Sequence, residues 1–595
     1  MKSEYSGSII RNGRILPYRI SPLIISICIA FITLAVFAFA LTADFRFWDD
    51  DWCIFKNPRL GILNLQNLWL IFTDKTFSSS FYTPLTGLRW CITYTFWGLN
   101  PVAYHLGNLL FHAANAVLLF FFVRKLVIIS LENKRNSEIT QLRVDVASAI
   151  AVLLWSLHPL RVEPVASAAA GAHVQAIFFM LLSLLGYFRY NEDKKKYFHW
   201  LIISAACYGA SVLSQPVTLA LPAVLVVLDV YPLKRIVMVN GWWKSQEVRS
   251  AILDKIPFIV ISLAVIVANV TLVTGGNDRP LHEYVPLAQF GLLDRIMQAF
   301  YIWSYYVWRP WYPVNLSPVY SMLLSFDPLS LPFVCSAIGI IGGTIIILLY
   351  KNKYPYILAA WICHLIILLP VLGLNVNPHY TSDRYALSVS MIWSVLLAGW
   401  IVTVRKSFLF FLFPGLISIL IIFGIMSNKQ VRIWHNTETL CRYMLEKTKD
   451  EPKFTKQRAL TYEKLATYYM KNGRAEESIY PLTEDIRLNP QSAYAHAALG
   501  IILFQQDRKK EAFTHLYKSI KIDSSYIDSY SKFAEWLRQK NRNEEALEVC
   551  ERILEIDPNH AETRAIKVAI LGSLLQKQTK KIKIKPDFPE VRLNP

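Results

Sequence analysis

"SPLIISICIAFITLAVFAFALTADFRFWDDDW", residues 21–52, decides the fold. From Ser21 to Ala43 there is no charged side chain, and a helix of that length covers roughly 30 Å at about 1.5 Å per residue, the thickness of bilayer hydrocarbon. Asp44 and Arg46 follow at once, then three consecutive acids, Asp49, Asp50 and Asp51. Ahead of the apolar block stand Lys2, Arg11, Arg14 and Arg19, and positive charge before a first span favours the cytoplasmic side for that end. Ala38-Phe39-Ala40 has the small-residue spacing of a signal-peptidase site, but the apolar block is longer than a signal core, so an uncleaved span is expected. The acidic cluster then falls outside the cytoplasm.

The rest of the chain repeats this grammar. Of 595 residues, 54% are hydrophobic and 18% charged, far from a soluble composition. Further apolar blocks run about 105 to 127, 145 to 158, 171 to 188, 198 to 213, 216 to 231, 255 to 274, 332 to 350, 355 to 374, 385 to 404 and 407 to 427. With the first they predict an all-α polytopic bundle of about eleven spans. Alternation places Arg124-Lys125, Lys194-Lys195-Lys196, Lys234-Arg235, Lys351 with Lys353, and Arg405-Lys406 all on the cytoplasmic side. "FGLLDRIMQAFYIWSYYVWRPWYP", 290–313, contains Asp294, Arg295 and Arg309; as a span it would invert every later loop, so an interfacial or re-entrant helix is expected. The net charge of +19 is scattered over loops and tail rather than set on one face, so no nucleic-acid partner is expected. Eight cysteines without CxxC spacing argue against structural zinc; Cys53 and Cys91 share a loop and read as buried thiols in preference to a pair.

From about 457 the sequence becomes polar, with a period of 34: "RLNP" ends at 490, "KIDS" at 524 and "EIDP" at 558. In the same register stand Leu465-Ala466, Leu499-Gly500 and Phe533-Ala534, then Ser478, Ala512 and Ala546, small residues where two helices must cross closely. The pattern resembles the tetratricopeptide repeat, with full units at 457–490, 491–524 and 525–558, an incomplete unit at 434–452 beginning with Trp434, and a capping helix after His560. Asp485 is more polar than its position usually is. The predicted division is a membrane domain over 1–430, a repeat domain over 431–575 and a basic tail over 576–595 whose "KKIKIK" is solvated. The concave face of such a solenoid takes peptide segments.

The outer loops, 43–104, "HPLRVEP" (158–164), "SQPV" (214–217), 275–331 and "NPHYTSDRY" (377–385), hold the candidate chemistry, together with everything after Met426. Charge at a membrane boundary is hydrated, paired or used. Asp49, Asp50 and Asp51 read either as a polar stop or, bracketed by Trp48 and Trp52 at headgroup depth, as a positioned general base. Two carboxylates can hold Mg²⁺ or Mn²⁺ but do not compel one, so no cofactor is certain.

"FWDDDWCIFKNPRL", "YTPLTGLRWCITYTFWGLNPVAYHLGNLLFHAANAVLLFFFVRKL", "HPLRVEPVASAAAGAHVQAIFFMLLSLLGYFRY", "SQPVTLALPAVLVVLDVYPL" and "SDRYALSVS" together resemble GT-C glycosyltransferases fused to tetratricopeptide repeats, the O-mannosyltransferases of animals and their bacterial relatives. The resemblance implies an inverting transferase that moves a sugar, mannose or another hexose, from a polyprenyl-phosphate carrier to Ser or Thr hydroxyls of a protein acceptor on the non-cytoplasmic face. It implies the general base among Asp49 and Asp50, leaves Asp51 an extra acid, and gives Glu163 an orienting or base-assisting role; the bland alternative is that Glu163 caps the helix opened by Pro164. Arg384 is the first choice for the carrier phosphate, with Arg161 and Arg309 behind it. His158 either joins that site or closes a turn, and Asp383 either joins it or pairs with Arg384. His105 and His112, seven apart, more often bond a neighbouring helix. The chain departs from its relatives at "AGAHVQ", 170–175, where Ala172 and His173 replace a basic residue. The expected location is a bacterial inner membrane with a periplasmic repeat domain, or the endoplasmic reticulum with a luminal one. The rival reading is a non-catalytic scaffold whose repeats recruit assembly partners; a transporter ranks third, because no repeated topology is evident.

Overall fold

The computed structural model describes residues 21–74, 81–132, 140–237, 243, 245–273, 291–318, 320, 327–374, 381–448 and 450–582. The basic residues before Ser21, part of the loop before Thr381, part of 275–331 and most of the basic tail lie outside these. All regular structure among the described residues is helical. The chain divides into two compact units, Met1–Tyr443 and Met444–Pro595.

In the first unit α1 (Pro22–Phe37) leads to the short outer helices α2 (Leu65–Thr73) and α3 (Pro84–Trp97). Then follow α4 (Pro101–Glu132), α5 (Gln141–Ser156), α6 (Val162–Ala166), α7 (Gly171–Glu192), α8 (Phe198–Ser214), α9 (Leu221–Val230), α10 (Gln246–Leu253), α11 (Ile256–Val273), α12 (Leu292–Trp308), α13 (Leu331–Leu349), α14 (Pro355–Leu368), α15 (Ala386–Val389), α16 (Met391–Thr403) and α17 (Lys406–Ile433). The protein is an integral membrane protein, yet it has fewer spans than the expected eleven. Among the described residues six helices are long and apolar enough to cross a bilayer, or eight if the bent pairs Gln141–Ser156 with Pro159–Ala166 and Asp383–Val389 with Met391–Thr403 each count as one. The three segments that fall short are Phe198–Ser214, Pro216–Val230 and Pro355–Val371. Proline sets these limits: Pro216 follows the break at Ser214-Gln215, and Pro370 sits in a 3₁₀ turn at the end of α14. α12 is absent from the candidate spans; it buries Arg295, Gln298 and Tyr306 on one face and exposes Leu292, Leu293 and Ile296 on the other.

The two ends of this bundle differ in charge. At one end the basic loops converge: Lys125 pairs with Glu192 at 2.6 Å, Lys194 with Asp254 at 3.2 Å, and Arg235 and Lys255 both hold the buried Asp229. The opposite end carries the acidic loop, which is tied to the close of the last long helix. Asp44 N donates to His435 O at 2.8 Å and Phe47 N to Thr437 Oγ1 at 3.0 Å. These contacts draw residues 434–443, which the sequence assigns to the repeat half, into the first unit, and α18 (Thr437–Lys447) straddles the border.

The second unit is a solenoid of helix hairpins: α19 (Thr455–Lys471) with α20 (Ile479–Leu488), α21 (Ala493–Gln505) with α22 (Lys509–Ile522), α23 (Ile527–Gln539) with α24 (Asn543–Ile556), and α25 (Ala561–Ile582) over the last. The small residues sit at the crossings as the period requires. Ala466, Ser478, Ala512, Ala534 and Ala546 are fully buried, and a Cβ on Gly500 would lie 2.8 Å from the Leu516 side chain. Each hairpin turn has one residue in the left-handed region, Gly473, Asp507 and Asn541, again 34 apart. All eight cysteines are free thiols.

Candidate functional site

The acidic run does not act as one patch. A short turn of helix over Asp51–Phe55 begins inside it, so the three carboxylates point to three different environments. Asp50 is completely buried and all its acceptor capacity is filled: Oδ2 takes the Arg46 backbone N–H and the Arg46 guanidinium, both at 3.1 Å, while Oδ1 takes Ser167 Oγ at 3.1 Å and Ala169 N at 2.8 Å. Arg46, itself 1% exposed, also donates to the carbonyls of Ala166 and Trp434. Asp50 therefore joins the first loop to the second and to the end of α17. Asp51 faces Lys56 at 3.4 Å.

Asp49 is the acid left available. Its side chain is 24% exposed, and its Oδ2 receives Arg384 Nη1 at 2.8 Å. Arg384 reaches a second carboxylate as well, with Nε 3.3 Å from Glu163 Oε1. Glu163 is buried and accepts from Ser382 Oγ at 2.7 Å and from Arg384 N at 3.1 Å. It stands in the first turn of its own short helix, and its carboxylate is also engaged by Ser382 and Arg384. Asp49, Glu163 and Arg384, far apart in sequence, form one cluster in which a single guanidinium bridges two carboxylates.

The other anticipated residues surround this cluster with fixed partners. Asp383 does not pair with Arg384: adjacent residues of a 3₁₀ turn diverge, and Asp383 Oδ1 instead accepts from Tyr320 at 2.8 Å and Tyr305 at 3.4 Å. Arg309 joins that group through Tyr320 at 3.1 Å. Arg161 is buried against the Trp155 ring and donates to Trp155 O at 3.1 Å and to Ser390 Oγ. His158 is held at both nitrogens, by Pro310 O at 2.8 Å and Leu160 N at 3.1 Å, which is its turn-closing role. His112 bonds Ser156 O at 3.0 Å, the helix-to-helix contact foreseen for it.

In the departing "AGAHVQ" segment, α7 begins against α4 so closely that a Cβ on Gly171 would lie 1.8 Å from Asn108 Oδ1. His173 is buried between Ala170 O at 3.1 Å and the Gln215 amide at 3.2 Å, with the Tyr385 ring 5.8 Å away. Sequence reasoning missed Arg46, Ser167 and Ser382, which set the roles of the acids. The one local signal was Arg46 four residues before Asp50.

A divalent ion does not fit the acidic pair: every acceptor position of Asp50 is taken by an N–H or O–H donor, and Asp49 faces a guanidinium. Among the described residues the one close group of three metal-capable side chains, Asp528, His560 and Glu562, lies in the second unit.

The membrane unit also encloses an apolar cavity of about 550 Å³. Val217, Thr218 and Ser388 line it toward the acidic end, and Leu131, Tyr231 and Thr403 toward the basic end.

A polytopic helical bundle followed by an α-solenoid of 34-residue hairpins is the architecture that the resemblance to repeat-bearing GT-C enzymes implies. Comparison with known proteins finds that same group. The chain is 29% identical over 214 residues to the protein O-mannosyl-transferase TMTC2 of Mus musculus, covering 34% of this chain and 24% of that protein. It is 31% identical over 180 residues to TMTC4 of the same organism, 29% of this chain and 24% of the relative. Against the Xenopus laevis tmtc2 it is 25% identical over 300 residues, 47% of this chain and 33% of the relative. The chain thus spans about a quarter to a third of the length of these relatives. No family model matches it.

Proposed function

We propose that this protein is a membrane glycosyltransferase that moves mannose or another hexose from a polyprenyl-phosphate carrier to Ser or Thr hydroxyls of proteins on the non-cytoplasmic face. The observation that carries this reading is the Asp49–Arg384–Glu163 cluster. The relatives named as protein O-mannosyl-transferases point to the same chemistry.

In this reading Asp49 is the general base, since it is the most exposed of the three acids, at 24% against 12% for Asp51, and it faces the Arg384 guanidinium. It takes the proton of the acceptor hydroxyl as that oxygen attacks the anomeric carbon. The bond from that carbon to the phosphate oxygen breaks, the electron pair leaves with polyprenyl phosphate, and a single displacement inverts the centre. Protonation of Asp49 removes one of the two anions facing Arg384, so the guanidinium becomes available to the leaving phosphate as charge develops there. Glu163, fixed by Ser382, keeps Arg384 in reach throughout. Arg161, Arg309, Asp383 and His158 hold the surrounding loops, and no metal step is needed.

The apolar cavity supports a donor with a long hydrocarbon chain, because its upper lining residues Thr218 and Ser388 lie three and four residues after Gln215 and Arg384. The chain leaves the membrane unit beside the acidic loop, through the Asp44–His435 and Phe47–Thr437 contacts. That connection supports repeats exposed to the compartment of the acids, where they present the protein acceptor. A bacterial inner membrane with a periplasmic repeat domain is the preferred location.

The test is reconstitution of the full chain with mannosyl- and glucosyl-phosphate carriers of dolichyl and undecaprenyl type and Ser/Thr-containing acceptors, read by mass spectrometry. Hexose addition lost in Asp49→Asn is the expected result. No transfer by the unaltered protein across the donor panel would leave the scaffold reading in its place.

A further inference from the structure

Among the described residues Arg89 is an arginine without an anion. It lies on α3, whose exposed Ile92, Phe96 and Trp97 mark an interfacial helix too short to cross a bilayer. The side chain turns inward over the Phe111 ring, 5.6 Å from its centroid, and its buried Nη1 has no partner among the described residues. Arg46, Arg161, Arg309 and Arg384, at the same end, all have acceptors. Burial alone draws Arg89 down to about 10, with no carboxylate acting on it, so it stays charged at neutral pH. A lone, half-buried cation is costly unless something anionic joins it.

Two orphan acceptors belong to segments that contact the first turn of α3. Gln175 donates its amide to Leu85 O at 3.2 Å, and Leu85 is one helical turn before Arg89, so the Gln175 side chain rests over the turn that carries the guanidinium. Its Oε1 is buried and has no partner among the described residues. Gln215 Oε1 is in the same condition. Thr86 Oγ1 bonds Ser214 O at 2.7 Å, which brings the residue next to Gln215 against the first turn of α3. From Gln215 the path continues to His173 and the Tyr385 ring, next to Arg384. An unused phosphate-type donor and two unused acceptors thus border one seam between α3, α7 and α8 that leads to the Asp49–Arg384–Glu163 cluster. Phosphate accepts hydrogen bonds and sugar hydroxyls donate them.

We propose that Arg89, Gln175 and Gln215 form a docking site for the headgroup of a lipid-linked sugar phosphate, with Arg89 taking the phosphate and the two amide carbonyls taking sugar hydroxyls. This rests on the glycosyl-transfer reading and adds where the donor is first held, at the membrane-facing side of the reacting cluster. The residues bind and select; they do not touch the bond that breaks.

The test compares two probes on the full chain in nanodiscs: undecaprenyl phosphate, and undecaprenyl phosphate bearing mannose. Arg89→Gln is expected to weaken both by about 10- to 100-fold, the scale of a charge-assisted contact, and Arg89→Lys less. Gln175→Leu and Gln215→Leu are expected to weaken only the mannose-bearing lipid, by about tenfold. In turnover, Arg89→Gln raises KM for the donor and leaves kcat within about twofold. Unchanged binding of both lipids by Arg89→Gln, or equal loss of both lipids in the glutamine variants, overturns the proposal. Binding in the expected pattern by a protein that transfers nothing would sink the enzymatic reading and keep the docking site. Normal transfer with normal KM in Arg89→Gln would do the reverse. Unaltered thermal unfolding of Arg89→Lys serves as the folding control.

Discussion

The acidic end of the membrane unit and the helical solenoid solve opposite problems. In the solenoid, the same small residues return every 34 positions, each packing against the next hairpin, so the sequence announces its own architecture. At the acidic end nothing repeats. Two adjacent aspartates differ in role because Arg46, Ser167 and Ala169 saturate one while Arg384 alone meets the other. Periodicity makes a fold legible; the acid–arginine cluster depends on contacts between residues hundreds of positions apart.

The sharpest way to break this contrast is to exchange the two aspartates' fates. Asp49→Asn is expected to lower transfer by about 10²- to 10⁴-fold with the membrane unit still folded. Asp50→Asn, by contrast, leaves buried Arg46 without its counter-ion and is expected to cost about 3–5 kcal/mol of stability, read as loss of folded protein in detergent. Equal behaviour of the two variants in both assays would show that the neighbours are not functionally distinct.

How much of this was readable beforehand follows from the same contrast. The long apolar blocks and the 34-residue register gave the bundle and the solenoid, because each depends on local pattern. Three apolar segments were overcounted as spans, since proline at 216 and 370 ends them early. The tryptophan-flanked acids stood out in the sequence, but the different surroundings of Asp49 and Asp50 depend on residues of the second loop. Asp383 beside Arg384 looked like a pair by adjacency, and the turn geometry separates them. Glycine, aspartate and asparagine at 473, 507 and 541 carried a turn signal that the apolar register overshadowed.

A smaller effect tests the solenoid from within. Gly500→Val places branched carbon against Leu516 and the Ala512 carbonyl, 2.8 and 3.1 Å from a Cβ, and is expected to destabilise the second hairpin by about 1–3 kcal/mol. Faster hydrogen exchange over α21 and α22 in the full chain is the readout, with exchange in α4 and α7 unchanged.

The smallest prediction concerns the one carboxyl in the solenoid that departs from its register. Asp485 is 2% exposed, accepts from Ser492 at 2.9 Å, and is raised to about 7 chiefly by burial. The folded state therefore keeps a proton that the unfolded chain releases near about pH 4. Stability is greatest below that value, falls as pH rises toward about 7, and is flat beyond. Exchange protection of α20 is expected to fall by about 1–2 kcal/mol between pH 5 and 8, and Asp485→Asn to abolish the slope.

The latch between Arg46 and Trp434 has a bearing on biogenesis. Arg46 emerges from the ribosome with the first span, but one of its carbonyl acceptors belongs to a residue made almost four hundred codons later. Asp50 can lean on the second loop early, yet the outer loops cannot close until the final membrane segment has been inserted. A nascent chain cut between Arg384 and Trp434 carries Asp49, Glu163 and Arg384 and still lacks this acceptor for Arg46, so the cluster's residues are all made before the contact that closes the loop around them.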